Sequence, residues 1–178
     1  MNERPANTFE RKTFTTSRLS EFATESELTK QVGHPASLWP IVVVKELVDN
    51  SIDAAENANL APDIVVTVDS DSIVVTDNGP GIPAATVKAL TDFTAKTSSN
   101  AAYCSPSRGQ QGNALQSCLA MPFALSGAEG SVLIEAQGKA HDIRFTLDPV
   151  RQIPVVERAV TPSAVKTDPD DGTLATIT

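Results

Sequence analysis

Four short apolar segments in the second half of the chain constrain its fold more than any other feature of the sequence. Each is rich in β-branched or other apolar residues, and no predicted helix separates one from the next. Parallel strands need a crossover of about a dozen residues, usually a helix, so strands that follow one another directly favour antiparallel pairing. The pattern predicts an α+β fold with a mainly antiparallel sheet, in which the late strands are 131–136, 142–147, 155–160 and 173–178.

The first half of the chain combines helices with a hairpin. Apolar residues recur at helical spacing between Leu38 and Asn59, which predicts a long amphipathic helix with the apolar stripe Ile41, Val44, Val48, Ile52 and Ala55. Two β-branched runs separated by Asp69-Ser70-Asp71-Ser72 predict the hairpin. The remaining predicted elements are a short helix near 20–30 or a polar arm, a helix at 84–92, a long loop at 94–113, and a helix at 114–121 that ends before Pro122.

The charge balance limits the partners that the chain can bind. Its 178 residues carry 14 Lys and Arg against 22 Asp and Glu, which gives a net charge of −8. Such a surface is poorly suited to a bare phosphate backbone, which needs clustered cations. No apolar run approaches the ~20 residues that span a bilayer, and the few cysteines and histidines lack zinc-site spacing. We therefore expect a soluble, cytoplasmic chain built on one domain.

The long helix carries the first of three segments suited to phosphate chemistry. Glu46, Asn50 and Asp53 fall within about 60° of one another around its axis, since each residue advances ~100°. An amide carbonyl can help to hold Mg²⁺, and a carboxylate one turn away can take a proton from an attacking water. Considered alone, however, this pattern is more typical of an ordinary solvated helix face.

The other two segments are rich in glycine. Asp77 could accept a hydrogen bond from an exocyclic amine such as that of adenine, while Gly79 and Gly81 let the backbone approach a flat ring. The segment 108–114, Arg-Gly-Gln-Gln-Gly-Asn-Ala, places paired glycines before a helix N-terminus, where backbone N–H groups can bind anions. Considered alone, the first segment is more typical of a tight turn and the second of a glycine hinge.

Together, in this order and spacing, the three segments resemble those of the GHKL ATPases, which share the Bergerat nucleotide-binding fold. The resemblance covers about residues 36–178. Within that superfamily, the stretches 46–54 and 107–112 look most like those of the topoisomerase VI B-type proteins. The resemblance to the GHKL ATPases implies a two-layer α/β sandwich whose mixed, mainly antiparallel sheet is covered by helices on one face. An N-terminal arm or strap at 1–35 would precede this ATP-binding domain.

The resemblance also implies roles for individual residues. Glu46 would be the general base that orients the attacking water, and Asn50 would bind Mg²⁺. Asp77 would accept a hydrogen bond from the adenine amine, with Gly81 beneath the ring and Thr173 supporting Asp77 through water.

The phosphates would be wrapped by 109–116, a lid at whose start Ser99 and Asn100 would lie near the nucleotide. The complete set of residues expected to contact the nucleotide is Asn50, Asp53, Asp77, Gly79, Gly81, Ile82, Ser99, Asn100, Gly109, Gln110, Gln111, Gly112, Asn113, Ala114, Leu115, Gln116 and Thr173.

The sequence departs from the family pattern in three ways. Ala114 replaces the third glycine of the lid, and Asn100 stands where the family has a basic residue. The transducer domain that supplies a lysine to the γ-phosphate in the family has no counterpart in the 178 residues. We therefore expect nucleotide binding with slow hydrolysis, and no strand passage by this chain alone.

The implied function is that of an Mg²⁺-dependent ATPase domain of a topoisomerase VI-like, type II enzyme. ATP would close the lid and promote a homodimer, and its turnover to ADP would be coupled to duplex passage by a DNA-cleaving A-type partner. DNA would be bound only through the larger assembly, and no membrane would be involved. One alternative is an ATP-operated clamp or switch of the MutL or chaperone type, and another is a domain that holds nucleotide as a structural ligand.

Overall fold

The structure, a computed structural model, describes residues 15–96, 113–166 and 171–178. Two 3₁₀ turns, at Leu19–Phe22 and Ala36–Leu38, precede the longest helix. The helices in these residues are α1 (Glu25–Val32), α2 (Trp39–Asn57), α3 (Ala84–Leu90) and α4 (Asn113–Ser126). The strands are β1 (Thr15–Ser17), β2 (Ile64–Val68), β3 (Ile73–Asp77), β4 (Thr94–Lys96), β5 (Glu129–Ala136), β6 (Lys139–Leu147), β7 (Pro154–Pro162) and β8 (Thr173–Ile177).

Six of these strands form one sheet in the order β2-β3-β8-β5-β6-β7, and β1 pairs with β4 separately. All pairings between the described strands are antiparallel, as the short connections between the late strands predict. The predicted hairpin is confirmed, with Ile64 opposite Asp77 and Val68 opposite Ile73. The last strand, β8, lies between β3 and β5, so its first residues lie beside the end of β3.

The helices cover one face of the six-stranded sheet. α2 packs against β2 and β3, whereas α4 packs against β5 and β6. Burial alternates along β6, where Ile143 and Phe145 are buried and Arg144 between them is exposed. The predicted α+β sandwich is therefore confirmed. No helix in the described ranges is long and apolar enough to cross a membrane.

The buried face of α2 differs from the predicted one. The helix buries Trp39, Val43, Leu47, Ser51 and Ala55, which recur every four residues. Of the predicted stripe, Ala55 is buried and Val48 packs against the core, whereas the first member, Ile41, is 68% exposed. Two causes explain the error: the run from Ile41 to Val44 is apolar on several sides of the helix, and the true series contains a polar residue.

α4 continues past the proline that was expected to end it. Pro122 lies inside the helix, and Phe123 and Ala124 beyond it are buried. A proline inside a helix loses one backbone hydrogen bond and clashes with the preceding turn, at a cost of about 3 kcal/mol. Burial of a large apolar side chain returns about 1.5–3 kcal/mol and so offsets most of that cost. Close packing also requires Gly130 on β5, because a Cβ there would lie 2.4 Å from the backbone nitrogen of Phe123.

The segment predicted as a long loop at 94–113 begins with a strand instead. Thr94–Lys96 pairs with Thr15–Ser17, a strand that was not predicted because both partners are only three residues long. The preceding residue, Phe93, is buried, with its ring centroid 5.0 Å from that of Phe22. Residues 97–112 of the predicted loop lie outside the described part of the chain.

A buried histidine lies on β6, on the helix-covered face. His141 is 1% exposed, and its Nδ1 lies 2.9 Å from a guanidinium nitrogen of Arg158 on β7. Because the guanidinium can only donate, Nδ1 is the acceptor and the proton is on Nε2. That Nε2 has no hydrogen-bond partner among the described residues. Burial and the nearby charges of Arg158 and Lys139 lower the pKa of His141 below its ordinary value.

We expect this histidine to make the fold sensitive to acid. A depressed pKa in the folded state means that the unfolded chain takes up the proton first. The free energy of unfolding should thus be constant above about pH 7 and fall as the pH drops below the ordinary histidine value of ~6.5. Urea titrations between pH 8 and pH 5 on the wild type and on His141→Gln measure the difference. His34→Gln, which changes an exposed histidine, is the control, and equal pH slopes in all three proteins would contradict the prediction.

Candidate nucleotide-binding site

A buried carboxylate at the end of β3 organises the site. Asp77 is 8% exposed, and its Oδ1 accepts hydrogen bonds from the backbone N–H groups of Gly79 at 2.9 Å and Thr173 at 3.0 Å. Its Oδ2 lies 3.1 Å from the hydroxyl oxygen of Ser51, which donates to it from α2. Three separate parts of the chain therefore fix the orientation of this carboxylate.

Ser51 is a residue of the candidate site that the sequence reasoning missed. Its side chain is buried, and its hydroxyl oxygen also lies 2.9 Å from the Leu47 carbonyl oxygen one turn earlier in α2. It occupies the fourth position of the buried series that begins at Trp39. A single polar residue in an otherwise apolar helix stripe needs a hydrogen-bond partner, and this signal could have found it.

The approach of β8 to Asp77 requires glycine. Gly172 has a φ of +77°, and a Cβ at this position would lie 2.0 Å from the Asp77 carbonyl oxygen. On the other side of Asp77, a Cβ at Gly79 would lie 3.1 Å from Oδ1, and one at Gly81 would lie 3.1 Å from the Gly172 carbonyl oxygen. The backbone segments around Asp77 are thus in contact with each other.

Thr173 has a second role. Its hydroxyl oxygen accepts a hydrogen bond from the backbone N–H of Ile82 at 3.1 Å, which ties the loop after β3 to β8. Its own backbone N–H binds Asp77 directly. The predicted support of Asp77 by Thr173 through water stays a prediction.

A cavity of about 590 Å³ lies against this carboxylate. Asp77 and Asn50 are polar groups in its wall, which is otherwise mainly apolar, with Val75, Ile82 and Ala175 among its lining residues. Such a cavity suits a mainly apolar ligand with an N–H donor on one edge, since a carboxylate only accepts hydrogen bonds. Of the predicted site residues, those that line this cavity are Asn50, Asp77, Gly81, Ile82, Leu115 and Thr173.

Glu46 lines a neighbouring hollow of about 370 Å³, together with Ala114 at the start of α4. It lies four residues, and so about 6 Å along the helix axis, before Asn50. The first turn of α4 contributes Ala114 to this hollow and Leu115 to the cavity beside Asp77. The ammonium of exposed Lys45 lies 3.2 Å from Glu46 Oε1 and 2.8 Å from Asp49 Oδ2.

The other predicted residues lie elsewhere or outside the described ranges. Asp53 is exposed and does not line either hollow. The side-chain amide of Gln116 donates to the carbonyl oxygens of Leu90 and Asp92, each at 3.3 Å, and so ties α4 to the end of α3. Asn113 begins α4, and the residues whose structure is not described are Ser99, Asn100, Gly109, Gln110, Gln111 and Gly112.

Comparison with known proteins defines the class to which the chain belongs. The model of the histidine kinase-, DNA gyrase B- and HSP90-like ATPase family matches residues 37–151, and the chain is a member of that family. Among curated proteins, the B-type component of the type 2 DNA topoisomerase 6 of Archaeoglobus fulgidus is 57% identical over 47 residues, which are 24% of this chain and 8% of that protein.

The corresponding topoisomerase component of Halobacterium salinarum is 31% identical over 134 residues, which are 72% of this chain and 16% of that protein. The match therefore spans less than a fifth of the length of these relatives. Among solved structures, the 43K ATPase domain of Thermus thermophilus gyrase B aligns with 76% of this chain and 32% of its own, at 23% identity and a TM-score of 0.45.

The close approach at Gly172 can be tested by substitution. Gly172→Ala should lower the free energy of unfolding through both the positive φ and the clash with Asp77. Gly127→Ala is the matched control, because Gly127 has a φ of +70° but no atom within 4 Å of an added Cβ. Strain alone should cost about 1 kcal/mol, and the clash should add ~1–3 kcal/mol at Gly172. Chemical denaturation measures the free energy of unfolding of each variant. An equal decrease in Gly172→Ala and Gly127→Ala would contradict the close approach of Gly172 to Asp77.

Proposed function

We propose that this chain binds ATP, with adenine in the 590 Å³ cavity and its exocyclic amine donating to Asp77. The single observation that carries the proposal is the buried Asp77 carboxylate, with three protein donors and a position on the cavity wall. A carboxylate has about four acceptor positions, so roughly one remains for a ligand. An amino group can fill it, whereas the keto oxygen of guanine would face an acceptor.

The triphosphate would run along α2 toward Glu46. Asn50 lines the base cavity and Glu46 lines the second hollow one helical turn earlier, about 6 Å along the axis, so an extended triphosphate could reach both. The oxygen donors at this position fit Mg²⁺, which prefers oxygen ligands and keeps several waters. No group of three or more acidic, histidine or cysteine side chains that could hold a metal ion exists in the described ranges, so the ion would take its other ligands from phosphate oxygens and water.

Glu46 would act on the water that attacks the γ-phosphate. Its side chain is 27% exposed, so water can reach the carboxylate. Lys45 donates to Oε1 of Glu46 at 3.2 Å, and Oε2, which accepts no hydrogen bond from the described residues, would accept a proton from a water molecule. Bound Mg²⁺ would offset charge on the phosphate oxygens.

At the level of the assembly, we propose a topoisomerase VI B-like role, which the similarity to the two archaeal proteins supports. Nucleotide binding would close the lid and promote a homodimer, and turnover to ADP would be coupled to DNA passage by a cleaving A-type partner. The net charge of −8 supports DNA contact through the assembly rather than through this domain.

Asp77→Asn tests the base contact. An amide keeps the size of the carboxylate, but it loses the charge and presents a donor as well as an acceptor. We expect the Kd for ATP to rise by about 10–100-fold, which corresponds to ~1.5–3 kcal/mol for a hydrogen bond to a charged group. Calorimetry gives the affinity, and thermal melting confirms folding. Asp71→Asn, at an exposed position of the turn between β2 and β3, should bind ATP normally; unchanged affinity in Asp77→Asn would exclude the proposed base contact.

Glu46→Gln separates binding from hydrolysis. The amide cannot accept a proton at neutral pH, so turnover should fall by roughly 10²–10⁴-fold while the Kd for ATP changes little. Steady-state phosphate release measures turnover, and Glu56→Gln, at an exposed position of α2, is the control. A Glu46→Gln protein that hydrolyses ATP at the wild-type rate would remove Glu46 from the reaction. A wild type that binds ATP without any turnover would favour a structural nucleotide instead.

A further inference from the structure

A buried lysine lies behind the candidate base cavity. Lys166, in the connection between β7 and β8, is only 8% exposed. Lysine is seldom buried without a partner, because removing an ammonium from water is costly. Its Nζ donates to the carbonyl oxygen of Asp77 at 3.2 Å and to the carbonyl oxygen of Asp171. Within the described ranges its contacts are thus with backbone, and none of the ion pairs there includes it.

The backbone around this lysine is held firmly. The hydroxyl of Ser163 accepts from the backbone N–H of Lys166 at 2.8 Å and donates to the buried carboxylate of Glu135 on β5 at 2.8 Å. The backbone N–H of Gly138, in the β5–β6 turn, donates to the Lys166 carbonyl oxygen at 2.8 Å. The backbone of Lys166 is therefore held against β5 and the β5–β6 turn, and its side chain extends from there to the end of β3.

A second side chain from the same turn reaches the loop after β3. The amide of Gln137 donates to the carbonyl oxygens of Pro80 at 3.1 Å and Gly81 at 3.2 Å. Lys166 and Gln137 thus bind backbone carbonyls at both ends of the Asp77–Gly81 segment. Gly81 lines the same cavity as Asp77, so both contacts act on the wall of the candidate base cavity.

We propose that Lys166 is a positioning residue for recognition of the amino edge of adenine. Its ammonium joins the end of β3 to the residue before Gly172, and so sets the distance between the Asp77 carboxylate and the cavity. This inference rests on the proposed binding of adenine at Asp77.

The effect follows from the geometry of hydrogen bonds. A bond of about 2.9 Å weakens steeply when the acceptor moves away or the angle falls. The Asp77 carbonyl is in contact with Gly172 and with the Lys166 ammonium, while the same residue lines the candidate base cavity. A displacement of the backbone at Asp77 therefore moves the acceptor.

The experiment compares two nucleotides that differ only in the amino group. ATP and purine riboside triphosphate, which carries hydrogen in place of the 6-amino group, are titrated calorimetrically into the wild type and Lys166→Met. Methionine keeps much of the side-chain volume without the charge. Lys139→Met, at an exposed position of β6, is the matched control. Thermal melting establishes that each protein is folded.

We expect the wild type and Lys139→Met to prefer ATP by about 10–100-fold, the range for one hydrogen bond to a charged group. In Lys166→Met this preference should fall to within about threefold, while the affinity for purine riboside triphosphate changes by less than threefold. Lys166→Arg, which restores a cationic donor, should recover most of the preference. If Lys166 were purely structural, its substitution would lower the affinity for both nucleotides equally. The ratio of the two affinities is therefore the decisive readout.

The outcomes distinguish this inference from the proposed function. If the wild type binds neither nucleotide, or Asp77→Asn keeps the full preference for ATP, the proposed base contact is wrong and the inference falls with it. If Asp77→Asn loses the preference but Lys166→Met keeps it, only the role of Lys166 is excluded. If Lys166→Met does not fold, Lys166→Gln is measured in the same way. Failure of both to fold would make the lysine a residue of the core and overturn the proposal.

Discussion

The structure of the site depends on the burial of one carboxylate. An ionised carboxylate removed from water is stable only if hydrogen bonds replace its hydration. At Asp77, those bonds come from α2, from the turn after β3 and from the start of β8. The residue that bonds it from β8 is 96 positions away along the chain. One side chain therefore joins the helical layer to the centre of the sheet, and the same side chain borders the cavity.

The sheet topology makes this arrangement possible. β8 is the last strand in sequence but lies between β3 and β5, so the ends of β3 and β8 meet inside the sheet rather than at its edge. Gly172 allows the two backbones to touch at this point. The β5–β6 turn and the β7–β8 connection add Gln137 and Lys166, whose donors bind carbonyls of the same loop. The cavity wall is thus fixed by contacts from α2, the start of β8, the β5–β6 turn and the β7–β8 connection.

Sequence patterns predicted the elements whose signal is local. The hairpin, the late strands and the Asp77–Gly81 turn follow from β-branched runs and turn residues, and the structure contains all of them. The errors have a common origin in packing. Pro122 lies within α4 because burial of the following residues offsets most of the cost of the proline. Ser51, Gln137 and Lys166 act through partners that are distant in sequence, so no spacing rule could have found the contacts themselves.

The central claim is that the remaining acceptor position of Asp77 binds the amino group of a purine. A crystal structure of this chain with a non-hydrolysable ATP analogue and Mg²⁺ measures it most directly. We expect the exocyclic nitrogen at about 2.7–3.2 Å from a carboxylate oxygen of Asp77, with the triphosphate directed toward Asn50 and Glu46. A base bound away from this cavity, or one whose amino group contacts only solvent, would contradict it.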